Sequence, residues 1–311
     1  MFSYSNYLIM PVVAIVAVAL DFILGEPKRY HPLVGFGWLA AKLETKLNPE
    51  KNHHKTAHRW VGALALCLLL APFIVMAYYL CHLPVIGLIF NTGLLYFAIG
   101  HKSLHEHARV VSHALQEGDL TQAKLAASYM VSRDPSTLEP IPATIESVLE
   151  NGNDSVFGAL FWFFIAGGAG ALLFRLANTM DAMWGYKTPR FYYFGWAAAR
   201  FDDVLNYIPA RLTALSYALL GNTKLALTCW KNQAPTWDSP NAGPVMSAGA
   251  GALHIKLGGA ARYFGQWHER PTLGVGNPPV LNDIERALAL VRHGVYGWLG
   301  LFLIIVSITY A

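Results

Sequence analysis

Charge is scarce in this sequence. Asp, Glu, Lys and Arg make up 14% of its 311 residues and hydrophobic side chains 54%, whereas soluble domains carry roughly 25% charged residues. An ordinary soluble surface is therefore excluded, and the composition is that of a membrane protein. The net charge of +4 is small and concentrated in loops, which makes it topology information and not a nucleic-acid footprint. Cysteine is scarce as well. Cys67, Cys81 and Cys229 are scattered and form no CxxC, so no disulfide or zinc framework is indicated and each reads as a small buried hydrophobe. A Walker-type GxxxxGK, a Ser-His-Asp or Cys-His arrangement, a repeat period and a low-complexity tract are all missing. No Gly/Ser- or Pro-rich linker divides the chain, which argues for one integral membrane domain over residues 1–311.

What is present is a set of long apolar runs. A bilayer span takes about 20 predominantly apolar residues. Tyr7–Leu24, Trp60–Leu80, Pro84–Ile99 and Gly294–Tyr310 are the four candidates for full spans. Tyr7–Leu24 lacks the basic n-region and cleavage site of a signal peptide and reads as a retained first helix. Trp60–Leu80 and Pro84–Ile99 are joined by Cys81-His82-Leu83 and read as a helical hairpin. Two further runs are poor simple spans. Phe157–Leu176 contains Gly167-Gly168-Ala169-Gly170, a plausible break, and Val204–Leu220 contains Pro209 and Arg211. Full crossing of the first would export Lys187, Arg190 and Arg200, against the positive-inside rule. The expected fold is an all-α polytopic membrane protein with about four full transmembrane helices plus two broken or re-entrant segments. The basic loop carrying Lys28, Arg29, Lys42, Lys46, Lys51, Lys55 and Arg59 is expected on the cytoplasmic side. The segment His101–Val156 and the Gly/Pro-rich loop Asn222–His293 are expected there too. Phe36–Leu47 reads as an amphipathic surface helix, and Leu120–Val131 as another started by Gly118-Asp119.

Ionisable residues crowd beside these runs, and a charge near hydrocarbon is a functional-site hypothesis by default. Glu146 and Glu150 share one face of a helix if Pro142–Glu150 is helical. Their repulsion would be relieved by a cation such as magnesium, with Asn151 and Asp154 adding oxygen ligands; the alternative is a solvated acidic face. Asn178 and Asp181, three apart, also share one helix face; Lys187 follows, and Arg200 and Asp203 repeat the three-residue spacing with Asp202 adjacent. Oxygen ligands interleaved with cations suit a magnesium-bound polyphosphate; the alternative for Arg200 and Asp203 is an intrahelical ion pair. Arg211 inside an apolar run is read as facing an anion, a substrate phosphate or Asp202 or Asp203, with snorkelling as the alternative. His101, His105 and His107 lack a third metal ligand nearby in sequence. His53, His54 and His58 belong to the basic loop.

In order along the chain, these residues resemble a known family. The blocks are Asp21 to Pro27 with His31-Pro32, Ser132-Arg133-Asp134, Glu146 to Asn151 with Asp154, and Asn178 to Asp181 with Gly185-Tyr186-Lys187. Phe194 to Asp203, Pro209 to Leu212, Ser239 to Gly243, Leu257-Gly258-Gly259 and Leu273-Gly274 complete the set. The set is similar to the adenosylcobinamide-phosphate synthase family of cobalamin biosynthesis. Glu26 stands where that family more commonly has Asp, and Ser155 where it more commonly has Gly; neither removes a charge.

The resemblance implies a multi-pass enzyme of the cell membrane with its active face cytoplasmic. It would join adenosylcobyric acid, a corrinoid, to (R)-1-amino-2-propanol O-phosphate, consuming ATP with magnesium. Assembly with other late-pathway membrane enzymes, contact with membrane lipid and no nucleic-acid partner go with that expectation. Catalytic work is expected of Asp134, Glu150, Asp181 and Asp203, and substrate or phosphate binding of Arg133, Asn178, Lys187, Arg200, Arg211 and Asn241. Magnesium is expected on Glu146, Glu150, Asp154, Asp181 and Asp202. The rival readings are a transporter, which internal pseudo-symmetry would favour, and a non-catalytic regulator, which would be free to lose the Asn178–Asp181–Lys187 cluster.

Overall fold

The computed structural model describes residues 4–26, 32–49, 55–263 and 265–310. Pro27 to His31, Lys51, His53 and His54, which belong to the N-terminal motif and the basic loop, lie outside the described residues. By its contacts the chain divides into two compact units interleaved in sequence. One comprises Met1–Gly100, Gly158–Asn206 and Phe302–Ala311; the other comprises His101–Phe157 and Tyr207–Leu301.

The first unit is built from α1 (Tyr4–Leu24), α2 (Pro32–Leu47), α3 (His58–Cys81), α4 (Ile86–Ala98), α8 (Gly158–Trp184) and the start of α9 (Trp196–Leu220). Its core joins Phe36 and Ala40 of α2 to Leu66 and Leu69 of α3, Leu172 and Met180 of α8, and Phe194. α2 presents Phe36, Ala40 and Glu44 inward at four-residue spacing and leaves Val34 and Trp38 exposed, as an amphipathic helix does. Among the described residues three helical runs are long and apolar enough to cross a membrane: His58–Cys81, a stretch within Pro140–Trp184, and Asn282–Thr309; Leu8–Leu24 is a shorter apolar helix.

Several expectations are corrected. Pro84–Ile99 yields only the 13-residue α4, about 20 Å long at 1.5 Å per residue, short of the roughly 30 Å hydrocarbon layer. Phe157–Leu176 does break, at Ala166 (φ −135°, ψ 18°) and Gly167 (φ 63°, ψ −156°). The break is repaired by Asn91 of α4, which is fully buried. Its Oδ1 accepts from the Gly168 N–H at 2.7 Å, while its Nδ2 donates to the Gly87 and Cys81 carbonyls at 2.8 and 3.1 Å. Val204–Leu220, by contrast, is not broken: α9 runs unbroken through Pro209. Proline has no N–H for the carbonyl four residues back. That carbonyl, Leu205, instead accepts the Trp162 indole N–H at 3.0 Å, so the helix continues.

The second unit contains α5 (His101–Gln116), α6 (Leu120–Ser128), α7 (Pro140–Gly152), the rest of α9, α10 (Thr223–Gln233), α11 (Ala242–Leu253) and most of α12 (Asn282–Tyr310). Between α11 and α12 lie four short strands, β1 (Lys256–Gly258), β2 (Ala261–Tyr263), β3 (Gln266–His268) and β4 (Thr272–Gly274). β1 pairs antiparallel with β4, Leu257 opposite Leu273, and β2 with β3, Arg262 opposite Trp267. The fold is therefore mostly helical and not all-α, and Asn222–His293 is folded where a loop was expected. All twelve residues of α11 are buried. The last helix starts at Asn282, so Arg286 and Arg292 are helical.

Local signals explain the starts. The Asp119 side chain caps α6 by accepting from the Gln122 N–H at 2.9 Å, and Asn222 caps α10 on Leu225. Proline opens α7, where its missing N–H costs nothing. After α7 the chain widens into one π-helical stretch, Asn153–Phe157. There the Tyr217 hydroxyl donates to the Leu149 carbonyl at 3.1 Å and Thr213 to Asn153 Oδ1 at 3.0 Å.

Candidate functional site

In the second unit, α7 carries Glu146 and Glu150 one turn apart, as their spacing requires. The repulsion expected between them is answered by arginine. Glu146 is 3% exposed and pairs with Arg133 and with Arg270, the latter at 2.8 Å. Its Oε1 also accepts the Gly258 N–H at 2.9 Å. Gly258 has φ +82°, and a Cβ there would lie 2.1 Å from the Pro271 carbonyl oxygen. Only glycine lets β1 turn its amide onto that carboxylate. Arg270 further donates from Nε to the Gly259 carbonyl at 2.9 Å and lies over the Trp237 ring.

Around these groups is a cavity of about 210 Å³. Arg133, Glu146, Glu150 and Tyr263 line it together with Trp237, Asp238, Met246, Arg270 and Pro271. Asp134 does not line this cavity. Its Oδ2 accepts the Gly265 N–H at 2.9 Å and pairs with Arg262, so it holds the β2–β3 turn. Asp154 sits in the π-helical stretch and accepts from Asn153 at 2.8 Å.

Arg211 and Asn241 come together. Arg211 donates to Asn241 Oδ1 and the Pro240 carbonyl, each at 3.0 Å, and to the Tyr207 carbonyl at 2.8 Å, with its guanidinium over the Tyr207 ring. Its partners among the described residues are neutral. The arginine pins the Pro240-Asn241 turn that leads into α11.

The first unit gathers a second group. Asn178 and Asp181 lie one turn apart near the end of α8, and Arg200, Asp202 and Asp203 lie in the first turns of α9. Asp181 and Asp203 are close enough for their charges to act on each other, and Lys187 acts on Asp203. A Cβ on Gly185 would lie 1.9 Å from Asp181 Oδ1, so a side chain there would collide with the carboxylate. Arg200 and Asp203 form the intrahelical ion pair at 3.0 Å. Asp202 is buried and accepts from Asn206 at 3.0 Å. The intervening loop is fixed by Arg190, which grips the buried Glu44 of α2 with two hydrogen bonds, and by Asn48, which donates to the Arg190 carbonyl at 2.9 Å.

Oxygen donors suit magnesium, which is commonly held by one or two carboxylates plus substrate phosphates. Asp181 and Asp203 with Lys187 fit that pattern. Glu146 does not, because guanidinium and amide donors already take its oxygens. Among the described residues no three His, Cys, Asp or Glu side chains converge as a metal site. The His101 and His105 rings lie against each other, tilted by 51° with centroids 4.6 Å apart, and among the described residues none of their four ring nitrogens has a hydrogen-bond partner. Burial holds both imidazoles down at about 4, with Arg292 acting on each, His105 on His101 and Arg109 on His105.

Sequence reasoning missed Arg270 and Trp237 at the cavity, and Asn91, Glu44 and Arg190 in the scaffold. It also passed over Arg175, which pairs with Glu26 at 3.7 Å. An arginine near the end of an apolar run was the signal available for that one.

The sequence model of the family described as CobD/Cbib protein matches residues 14–291. The chain is 55% identical over 293 residues to a cobalamin biosynthesis protein CobD of Chromobacterium violaceum, covering 93% of this chain and 94% of that one. It is 54% identical over 286 residues to the protein of that name from Stutzerimonas stutzeri (91% and 93% covered). It is 36% identical over 288 residues to that of Mycobacterium tuberculosis (89% and 90% covered). No solved structure matches.

Proposed function

The chain belongs to the CobD/Cbib family, and we propose that it catalyses ATP- and magnesium-dependent amide formation in cobalamin biosynthesis. The substrates would be adenosylcobyric acid and (R)-1-amino-2-propanol O-phosphate, and the product adenosylcobinamide phosphate. The observation that carries a role in cobalamin biosynthesis is the likeness, along almost the whole chain, to proteins named for that pathway. The ligation itself is our reading of the chemistry these residues suit.

A carboxylate is a poor electrophile. Transfer of the γ-phosphoryl group of ATP to a propionate oxygen would give an acyl phosphate and ADP. The amine would then form the C–N bond, phosphate would leave with the acyl C–O electrons, and a carboxylate would take the amine proton. Such a site needs cations and a bound divalent ion around the phosphoryl group. Lys187 and Arg200 supply the cations, and Asp181 and Asp203 would hold magnesium, which would neutralise phosphoryl charge when bound. Enclosure of the Asp181 carboxylate by Gly185 supports a role for it beyond solvation.

We place the protein in the cell membrane with the Lys187–Arg200 segment cytoplasmic, on its lysine and arginine bias. Efficient labelling of a cysteine introduced near Lys187 by an impermeant reagent in intact cells would refute that orientation. The ligation is tested with purified protein in detergent, adenosylcobyric acid, aminopropanol phosphate, ATP and magnesium, with product read by mass. Folded protein that gives no product in the complete mixture would sink the reading.

A further inference from the structure

We propose that the cavity beside α7 is the binding site for the amine substrate, a short primary ammonium that also carries an anionic ester, with Glu150 accepting the ammonium. This rests on the amide-forming reading and adds which part of the chain takes the amine. Size is the first argument. At about 210 Å³ the cavity falls below the roughly 300–1,000 Å³ of sites for drug-sized ligands. It suits a small molecule and not a whole nucleotide or a corrin ring.

Charge is the second. Arg133 and Arg270 carry two positive charges against the one of Glu146 that they share. Both arginine charges also act on Glu150, and an ester phosphate would meet guanidinium N–H groups that are not turned to Glu146. Glu150 and Asp238 also line the cavity, and among the described residues no hydrogen bond or ion pair engages either carboxylate. They are acceptors without a donor, and an ammonium supplies up to three N–H donors. The third argument is aromatic. Trp237 and Tyr263 add ring surface to the same cavity, and ring faces attract a cation. A ligand with both charges on a short chain meets the guanidinium groups and the carboxylates of Glu150 and Asp238 at once; a bare amine or a bare phosphate meets one kind.

Binding to the purified full chain in detergent is measured by calorimetry with 1-amino-2-propanol O-phosphate, with 1-amino-2-propanol and with inorganic phosphate. The expected order is tightest for the two-charge probe. Glu150→Gln is expected to weaken both amine probes about tenfold or more, the scale of one charge-assisted hydrogen bond, and to leave phosphate unchanged. Unchanged amine affinity in Glu150→Gln overturns the proposal. If that variant does not fold, tryptophan fluorescence decides: the two-charge probe is expected to change the emission of the wild type and not of Trp237→Phe. Binding without any Trp237-dependent change overturns the proposal. A wild type that binds the amine phosphate in this Glu150-dependent way yet forms no amide upholds the site and refutes the ligation reading instead.

Discussion

Replacing Glu146 by Gln separates two roles for this carboxylate, a metal ligand or the anchor of two arginines. The side chain keeps its shape but loses its charge and one acceptor oxygen. In the native protein Oε2 takes Arg133 and Arg270 while Oε1 takes the Gly258 amide at 2.9 Å. Glutamine accepts on one side only, and its NH2 on the other would face donors. Arg133 and Arg270, whose side chains are 13% and 12% exposed, would then share the cavity without a carboxylate between them. Breaking a buried pair by removing one partner costs about 3–5 kcal/mol. Residual exposure of the guanidinium groups sets the expectation near the lower end, about 3 kcal/mol. Thermal melting in detergent reads the loss, and turnover over a magnesium titration reads the mechanism. The expected result is a lower melting temperature and weak turnover that extra magnesium does not restore. Unchanged melting with activity recovered at high magnesium would refute the anchoring role and return Glu146 to the metal.

Other perturbations test the scaffold. Asn91→Leu leaves the buried Gly168 N–H without its acceptor, a cost of about 1–3 kcal/mol. Lower thermal stability in lipid nanodiscs is expected, and no change would contradict the repair of the broken helix. Trp162→Phe removes the donor to the Leu205 carbonyl, about 1 kcal/mol. In a Pro209→Ala background, where the restored N–H can serve that carbonyl, the loss should shrink; strict additivity of the two changes would refute the coupling. His101 and His105 have folded values depressed from 6.5 to about 4. Their stabilising effect is thus fully present above pH 6.5 and is lost as pH falls toward 4, roughly 3 kcal/mol for one imidazole. Melting should fall between pH 7 and 5 in the wild type, and less steeply in His101→Leu. Arg211→Lys keeps charge but loses the fork that reaches both Asn241 and Pro240. Limited proteolysis at residues 236–242 should quicken, and an unchanged rate would show that Arg211 does not pin this turn.

Much of the scaffold was legible because apolar runs and caps are local signals. The helices over His58–Cys81 and Leu120–Ser128, the start at Asp119 and the break beside the Gly167–Gly170 run follow from a few neighbouring residues. The four strands were not legible, since three residues are too few to show a period of two. α11 was hidden for another reason. Its alanines and glycines, with Pro244, look like loop composition. Small residues are what a helix needs to pack closely on all sides, and the Leu149 side chain occupies the space where a Cβ on Gly249 would stand. Arg270 and Trp237 belong to no motif: Arg270 reaches Glu146 from the turn after β3, and Trp237 joins the cavity from the stretch between α10 and α11.

Polar side chains beside apolar runs fall into two groups in this structure. Asn91 and Trp162 lie in apolar helices and spend their hydrogen bonds on backbone groups that a kink or a proline leaves open. In hydrocarbon such groups have no water to turn to, so a neighbouring side chain must serve them. Glu44 with Arg190, and Arg211 with the Pro240-Asn241 turn, fix loops in the same way. Glu150, and Asp181 under Gly185, are different. Their carboxylates are held in defined surroundings without a side-chain hydrogen bond or ion pair among the described residues. Burying a carboxyl group without a hydrogen-bond donor stabilises nothing in the fold by itself. That arrangement, and not nearness to the membrane, is the better mark of a residue kept for a substrate.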